Sequence, residues 1–277
     1  MMGNAANVPG TLRVVVVGLG VIGRSVVSAL VRGIPGLTLA GVAVRDREKG
    51  RMTLDLLGSD APVGVLEDLA GSADVVFDCA VAASHPQVAA TALAAGCTFL
   101  TMNSGALMAH PELLELAREK GARIVVPTGG LAGLDGLRAM AGGHLREVRL
   151  TSRKPPASLA DAPHVIEQGL DLASLETALC VFSGTARDAA RLFPANANVA
   201  ATLSLAGLGP DATMVEIWAD PQVSRITQWV HVVSDEAELR LEIYSNAMPD
   251  NPRTGSLTPL SAIEALRSLA TPLRIGS

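Results

Sequence analysis

The stretch that decides the fold is "LRVVVVGLGVIGRSVVSALVRG", residues 12–33. Val14 to Val17 form an unbroken β-branched run, the pattern of a strand buried on both faces. Gly18, Gly20 and Gly23 follow in G-x-G-x-x-G spacing. Ile22, Val26, Leu30 and Val31 then recur near helical spacing. In a strand–turn–helix unit each glycine has its own task. Gly18 allows the tight turn, Gly20 lets backbone approach a pyrophosphate, and Gly23 lets the helix pack on the strand. Val21 and Ile22 lie in the opening helical turn, whose N–H groups and positive dipole end face phosphates. A second strand, "LTLAGVAV", residues 37–44, completes the context that the motif requires. The spacing predicts a dinucleotide site at Gly18, Gly20, Val21, Ile22 and Gly23.

The second strand runs into "RDREKGR", residues 45–51. An acid here binds the adenine ribose hydroxyls, and an arginine accepts a 2′-phosphate. Asp46 is the candidate acid and Arg45 the candidate arginine, so the cofactor reads as NAD or NADP. Strands and helices keep alternating through "ADVVFDCA", "HPQVAATALAAG", "CTFLTMNSGAL", "PELLELAREKG" and "ARIVVPTGG". That order predicts a parallel, doubly wound sheet of Rossmann type. Ligands of such sheets sit beyond the carboxyl ends of the strands. This singles out the loops at residues 80–85, 103–106 and 127–133. Ala80 opens the first loop and is a candidate cofactor contact. His85, beside Pro86, reads as a helix-capping or surface residue.

After "GLAGLDGLRAM" the pattern changes. "LREVRLTSRKPP" is a polar-alternating strand that Pro155 and Pro156 stop. Strands separated by turns follow, which predicts a mainly antiparallel sheet with a helical face. The fold class is α/β, a Rossmann sheet plus a second α+β domain. The expected boundaries are residues 1–130 for the dinucleotide domain and 131–245 for a substrate and dimerisation domain, with 246–277 packing back on the first. Within "SRITQWVHVVS", Ile226, Gln228, Val230 and Val232 share one face, and Thr227, Trp229 and His231 the other. Gln228 is an amide among apolar side chains, and a buried amide needs partners. In "LFPANANVAATLSLAG", Asn196 and Asn198 stand at a helix start. Two asparagines cannot both be the cap, which leaves one to face a ligand.

At 277 residues the chain is long for one core. Hydrophobic residues make up 49% and charged ones 18%, enough to bury a substantial interior. A net charge of −5 and only 3% aromatics argue against a nucleic-acid surface. No uncharged apolar run reaches the ~18 residues of a membrane span. The three cysteines lack a CxxC and the five histidines are scattered, so no metal set is expected. The opening "MMGNAANVPG" lacks the basic region of a signal peptide. A cytoplasmic protein with reduced thiols is expected.

Taken together, "VVGLGVIG", "NSGAL", "PTGGLAGLDGL", "TSRKPP", "SGTARDAARLFPANANVAATLSLAGLGPD", "ADPQVSR" and "NPRTGSLTPLSAIEALR" resemble the L-aspartate dehydrogenase family. The resemblance covers most of the chain. It implies a homodimer, a C-terminal helix that returns to the Rossmann part, and oxidation of L-aspartate to its imine with NAD or NADP. Water then yields oxaloacetate and ammonia, and the reverse amination also runs. It further implies that Ala132 and Asn198 contact the nicotinamide end. Asn196 is then the candidate substrate contact, and Arg225, whose fork matches a carboxylate, the substrate clamp.

The family places a catalytic histidine just after the segment that reads "ADPQVSR" here, at position 228, where this chain has Gln228. A histidine takes up a proton near neutral pH and a glutamine does not. Losing a general base typically lowers rates ~10²–10⁴-fold. His231 would need a β-bulge to reach the other face. His164, Lys154 and His85 are further candidates, expected to enter from loops. Three readings follow: an amino-acid dehydrogenase, a reductase of a different imine or carbonyl substrate, or a non-catalytic dinucleotide-binding homologue. The partners implied are a small amino acid, imine or keto acid, with no nucleic acid and no membrane.

Overall fold

The computed structural model describes residues 10–276. The chain divides into two compact units, Met1–Pro127 with Ala262–Ile275, and Thr128–Ser261.

The first unit is a six-stranded, all-parallel sheet in the order β3-β2-β1-β4-β5-β6. Its strands are β1 (Leu12–Val17), β2 (Leu37–Ala43), β3 (Val63–Gly64), β4 (Val75–Asp78), β5 (Thr98–Thr101) and β6 (Arg123–Val125). Between them run α1 (Val21–Arg32), α2 (Arg47–Leu56), α3 (Leu66–Leu69), α4 (His85–Ala94), α5 (Ser104–Ala109) and α6 (Glu112–Lys120). The chain starts at the centre and winds first to one side, then to the other. The reversal between β1 and β4 opens a crevice at their carboxyl ends, the ligand position of this topology. The valine run is the reason β1 is central. Val14 and Val16 join one core with Val26, Val27 and Leu30. Val15 and Val17 point into the opposite core with Ala89, Leu93 and Phe99. Alternate side chains of one strand thus fill both layers.

The second unit carries a five-stranded sheet in the order β11-β10-β7-β9-β8. Its strands are β7 (Leu145–Lys154), β8 (Leu179–Thr185), β9 (Met214–Ala219), β10 (Ile226–Ser234) and β11 (Glu238–Ser245). The helices are α7 (Leu134–Met140), α8 (Pro163–Glu167), α9 (Ala186–Leu192) and α10 (Asn198–Ala206). The strands β12 (Ala247–Met248) and β13 (Asn251–Gly255) then form a separate hairpin before α11 (Leu257–Ala270). Three of the four strand pairs are antiparallel. The exception is β7–β9, which is parallel because α8, β8, α9 and α10 intervene as a long crossover. One face of the sheet is closed by Leu150, Val215, Val230 and Val232 against Phe182, Phe193 and Leu203.

The part of the C-terminal segment that joins the first unit begins at Ala262. Ala262 and Leu266 are fully buried there with Val14 and Val26. The β12–β13 hairpin stays with the second unit.

Candidate functional site

At the carboxyl end of β1 the three glycines occupy three different environments. Gly18 has φ +95°, a conformation other residues rarely adopt. A methyl at Gly23 would lie 2.1 Å from the Gly18 carbonyl oxygen, so only hydrogen fits between helix and strand. A methyl at Gly20, the N-cap of α1, would meet nothing within 4 Å. The backbone is therefore bare on the side a diphosphate approaches. The first turn of α1 carries no acidic side chain to oppose that anion. Val21 and Ile22 are half-buried in this turn. Beneath it, the Cys79 thiol donates to the carbonyls of Val17 and Gly18, each at 3.3 Å. Burial pushes that thiol far above its ordinary range and keeps it neutral.

Asp46 and Arg45 are exposed just after β2. The Asp46 carboxylate accepts from the Lys49 N–H at 3.0 Å and caps α2. One cap bond leaves lone pairs for a ribose hydroxyl.

A buried polar network lies next to the glycine turn. Asp78 ends β4 and is fully buried, as are His85 and Thr101. Asp78 Oδ2 is 2.8 Å from His85 Nδ1 and accepts from Thr101 Oγ1 and Asn103 Nδ2, both at 3.0 Å. Asp78 Oδ1 accepts from the Ala80 N–H at 3.1 Å. Asn103 Nδ2 also donates to the Ala80 carbonyl at 3.2 Å. Ala80, the candidate cofactor contact, is thus held through both of its backbone groups. His85 is neither a cap nor a surface residue, as the sequence reading had it. The carboxylate of Asp78 draws it fully inside, against the Phe99 ring at 5.5 Å. No motif marks these four residues, which come together only when β4 and β5 pair.

In the second unit, the loop at residues 128–133 runs beside the start of α10. A methyl at Gly130 would lie 3.6 Å from Val199 Cγ2 and 3.9 Å from Thr258 Oγ1. Ala132 is exposed in this loop, and Asn198 is the exposed first residue of α10. The N-cap is Ala197, with no side-chain cap bond, so neither asparagine plays that part. Asn196 lies in a 3₁₀ turn, Pro194–Asn196, and its side chain is outside the described residues.

Gln228 lies on the helix-packed face of β10, 4% exposed, opposite Ser152 on β7 and Ile243 on β11. Its Oε1 is buried without a hydrogen-bond partner among the described residues, and so is the Oγ of Ser152. Lys154, expected to enter from a loop, is not on one. It is the last residue of β7, 5% exposed, on the same face. Burial lowers its pKa from 10.5 to about 8, because the ammonium form is disfavoured there. His231 is on the opposite face, half-buried, with Nε2 2.8 Å from Glu238 Oε1. The β10–β11 register runs unbroken from Ile226 to Val233, so no bulge re-aims His231 and its proposed place beside Gln228 is not realised. Arg225 is exposed and stacks over the Tyr244 ring at 5.4 Å, on that same outer face and not beside Gln228. His164 packs on Phe182 and Phe193. Among the described residues no cluster of histidine, cysteine and acidic side chains could hold a metal ion, and no helix is long and apolar enough to cross a membrane.

Residues 18–127 match the family described as homoserine dehydrogenase, NAD binding domain, and residues 135–269 match aspartate dehydrogenase, C-terminal. The chain is 43% identical to L-aspartate dehydrogenase 3 of Bordetella bronchiseptica, over 96% of its own length and 98% of that protein. It is 41% identical to the L-aspartate dehydrogenase of Bradyrhizobium diazoefficiens, over 96% of its length and 94% of the relative. The fold is similar to that of a Thermotoga maritima aspartate dehydrogenase, with a TM-score of 0.75 at 23% identity, covering 96% and 99% of the two chains. The turn at Gly18–Gly23, set in the sheet order of a dinucleotide-binding domain, and nearly full-length identity above 40% make this chain a member of the L-aspartate dehydrogenase family, oxidoreductases that use NAD or NADP.

Proposed function

We propose that the protein interconverts L-aspartate with its imine, and hence with oxaloacetate and ammonia. The observation that carries this reading is the nearly end-to-end match to proteins named L-aspartate dehydrogenase. Gly18, Gly20, Val21, Ile22 and Gly23 would hold the diphosphate, Asp46 and Arg45 the adenosine side, and Ala80, Ala132 and Asn198 the nicotinamide end. A nicotinamide held by these residues would supply the acceptor for the hydride that leaves the substrate Cα. The chain's own residues then have two further tasks. The loop at Ala80, fixed through Asp78 and Asn103, holds its backbone in one position, which favours orientation over rearrangement. The face that carries Gln228 must receive the reacting nitrogen, and Gln228 itself cannot take its proton.

Consumption of NADH and NADPH with oxaloacetate, in the presence and absence of ammonium, tests the reading. Ammonium-dependent turnover supports it. Turnover that ignores ammonium rejects it in favour of a carbonyl reductase. A second reading, reduction of an imine that arrives preformed, is favoured by Gln228. A preformed imine needs little base catalysis, so an amide would suffice.

We also propose a cytoplasmic homodimer. Three unpaired thiols, Cys79, Cys97 and Cys180, suit a reducing compartment. The outer face of the five-stranded sheet offers Trp218, Trp229 and Tyr244, the residue types enriched where proteins meet. Sedimentation of the wild type against Trp229→Glu checks it, since the charge would leave a monomer.

A further inference from the structure

The helix-packed face of β7 and β10 is apolar up to its last two rows. There the pattern breaks. Ser152 and Gln228 are cross-strand partners, and Lys154 stands one row further along β7. Lys154 and Gln228 are therefore diagonal neighbours on one face, about 7–8 Å apart at the backbone and within reach of a long side chain. Three polar side chains, each at least nine-tenths buried, share this corner. Two of them have an atom with no partner among the described residues, Gln228 Oε1 and Ser152 Oγ. Such atoms are rare in folded proteins and ask for a missing group. An amide oxygen accepts hydrogen bonds, so the missing group is an N–H or O–H donor.

Burial is the cause of the state of Lys154. Its ladder partner on β9 is Ala219, and Ile226 precedes Thr227, the partner of Arg153, on β10. The helix α10 carries no titratable side chain, and His164 of α8 packs edge-on against Phe182 and tilted against Phe193. Burial alone brings the amine into the range where it exchanges protons near neutral pH.

We propose that Lys154 is the proton acceptor for the substrate amine, and that Gln228 Oε1 and Ser152 Oγ accept hydrogen bonds from the same nitrogen. The inference rests on the amino-acid dehydrogenase reading above. In the step, an N–H bond of the substrate ammonium breaks and an N–H bond to Lys154 Nζ forms. The positive charge passes from substrate to lysine, and the nitrogen keeps the electron pair that then supports departure of hydride from Cα. In the amination direction the lysine returns the proton. No oxidant enters this step.

The chain has only three lysines, Lys49, Lys120 and Lys154, and the first two are exposed. Carbon-13 labelling at lysine Cε therefore gives three resonances, and the one lost in Lys154→Met is Lys154. With NADH bound, addition of L-aspartate should shift that resonance and leave the other two in place. In parallel, Lys154→Met should lose ~10²–10⁴-fold in kcat/KM for aspartate oxidation. Its acid limb should move up to the titration of the substrate's own amine. The double variant Lys154→Met, Gln228→His should recover at least about tenfold, with an acid limb near ~6.5, the range of imidazole. That recovery also proves the fold. A Lys154→Met variant with wild-type kcat/KM and pH profile overturns the proposal. If the wild type proves inactive with aspartate, the functional reading fails by itself, and the resonance decides the lysine. A shift with an amine ligand then supports an amine-facing Lys154, and no shift overturns it.

Discussion

Two buried polar clusters end two central strands of the molecule, and they differ in what holds them: the first is gathered around a carboxylate, the second around an amine and an amide. At the end of β4, Asp78 accepts from Thr101, Asn103 and the Ala80 backbone and pairs with His85. At the end of β7, Ser152, Lys154 and Gln228 share a face, and two of them hold atoms without a partner. The Asp78 carboxylate has partners on both oxygens and fixes the backbone around it, while on its far side His85 Nε2 stays without a partner among the described residues. In the second cluster the open acceptors, Gln228 Oε1 and Ser152 Oγ, cost free energy in the resting protein that a bound donor gives back. The first cluster therefore reads as scaffolding for the cofactor loop, and the second as a receptor for the reacting group.

Breaking the carboxylate-centred cluster should have the largest effect. Asp78→Ala strands His85, Thr101, Asn103 and the Ala80 N–H together, and a loss of about 3–5 kcal/mol in urea unfolding is expected. Dinucleotide affinity should fall with it, since Ala80 is released. A loss below about 1 kcal/mol would mean that the network is incidental.

The second cluster should respond to pH in a set direction. Lys154 has a folded pKa of about 8, below the 10.5 of a free lysine. Below about pH 8 the amine is protonated in both states, and burial of the charge is at its most unfavourable. Between about pH 8 and 10.5 the unfolded chain binds the extra proton, so stability rises with pH across that window. The rise is on the order of 3 kcal/mol, and Lys154→Met should remove it. Unfolding free energies of the two proteins, measured side by side from neutral to alkaline pH, give the difference directly. An unchanged slope would mean that the lysine reaches solvent.

Gln228→Leu sharpens the same contrast. Replacing an amide whose buried Oε1 lacks a partner among the described residues by an apolar side chain should stabilise the fold by about 1 kcal/mol while lowering turnover. Destabilisation would show that the amide has an internal partner. The smallest effect belongs to the other face of the same strand. His231→Gln removes a half-buried contact to Glu238 and should change stability by less than ~1 kcal/mol, with kcat/KM unaltered.

The sequence carries the first unit almost openly. The run Val14–Val17 declares a doubly buried strand, and Gly18, Gly20 and Gly23 declare the turn, because both signals are local. Strict alternation also assigns Gln228 to the inner face and His231 to the outer one. Long-range pairing is what stays hidden. Nothing local says that β7 lies parallel to β9, since the partner is chosen across three helices and a strand. Nor does a local pattern join His85 to Asp78 and Thr101, which meet through strand pairing. Lys154 is a subtler case. Pro155 ends the strand immediately after it, so the residue looks like part of a loop, although its side chain already belongs to the sheet.

The outer face of the second sheet has one more consequence. Arg153 sits between the rings of Trp218 and Trp229, 5.1 and 5.4 Å from their centres, with its charge held by Asp220 at 3.2 Å. The chain has no other tryptophan. All of its indole emission therefore arises around a single guanidinium, and the protein carries a built-in optical gauge of that spot. Whatever covers or uncovers this face changes the colour and brightness of the whole molecule.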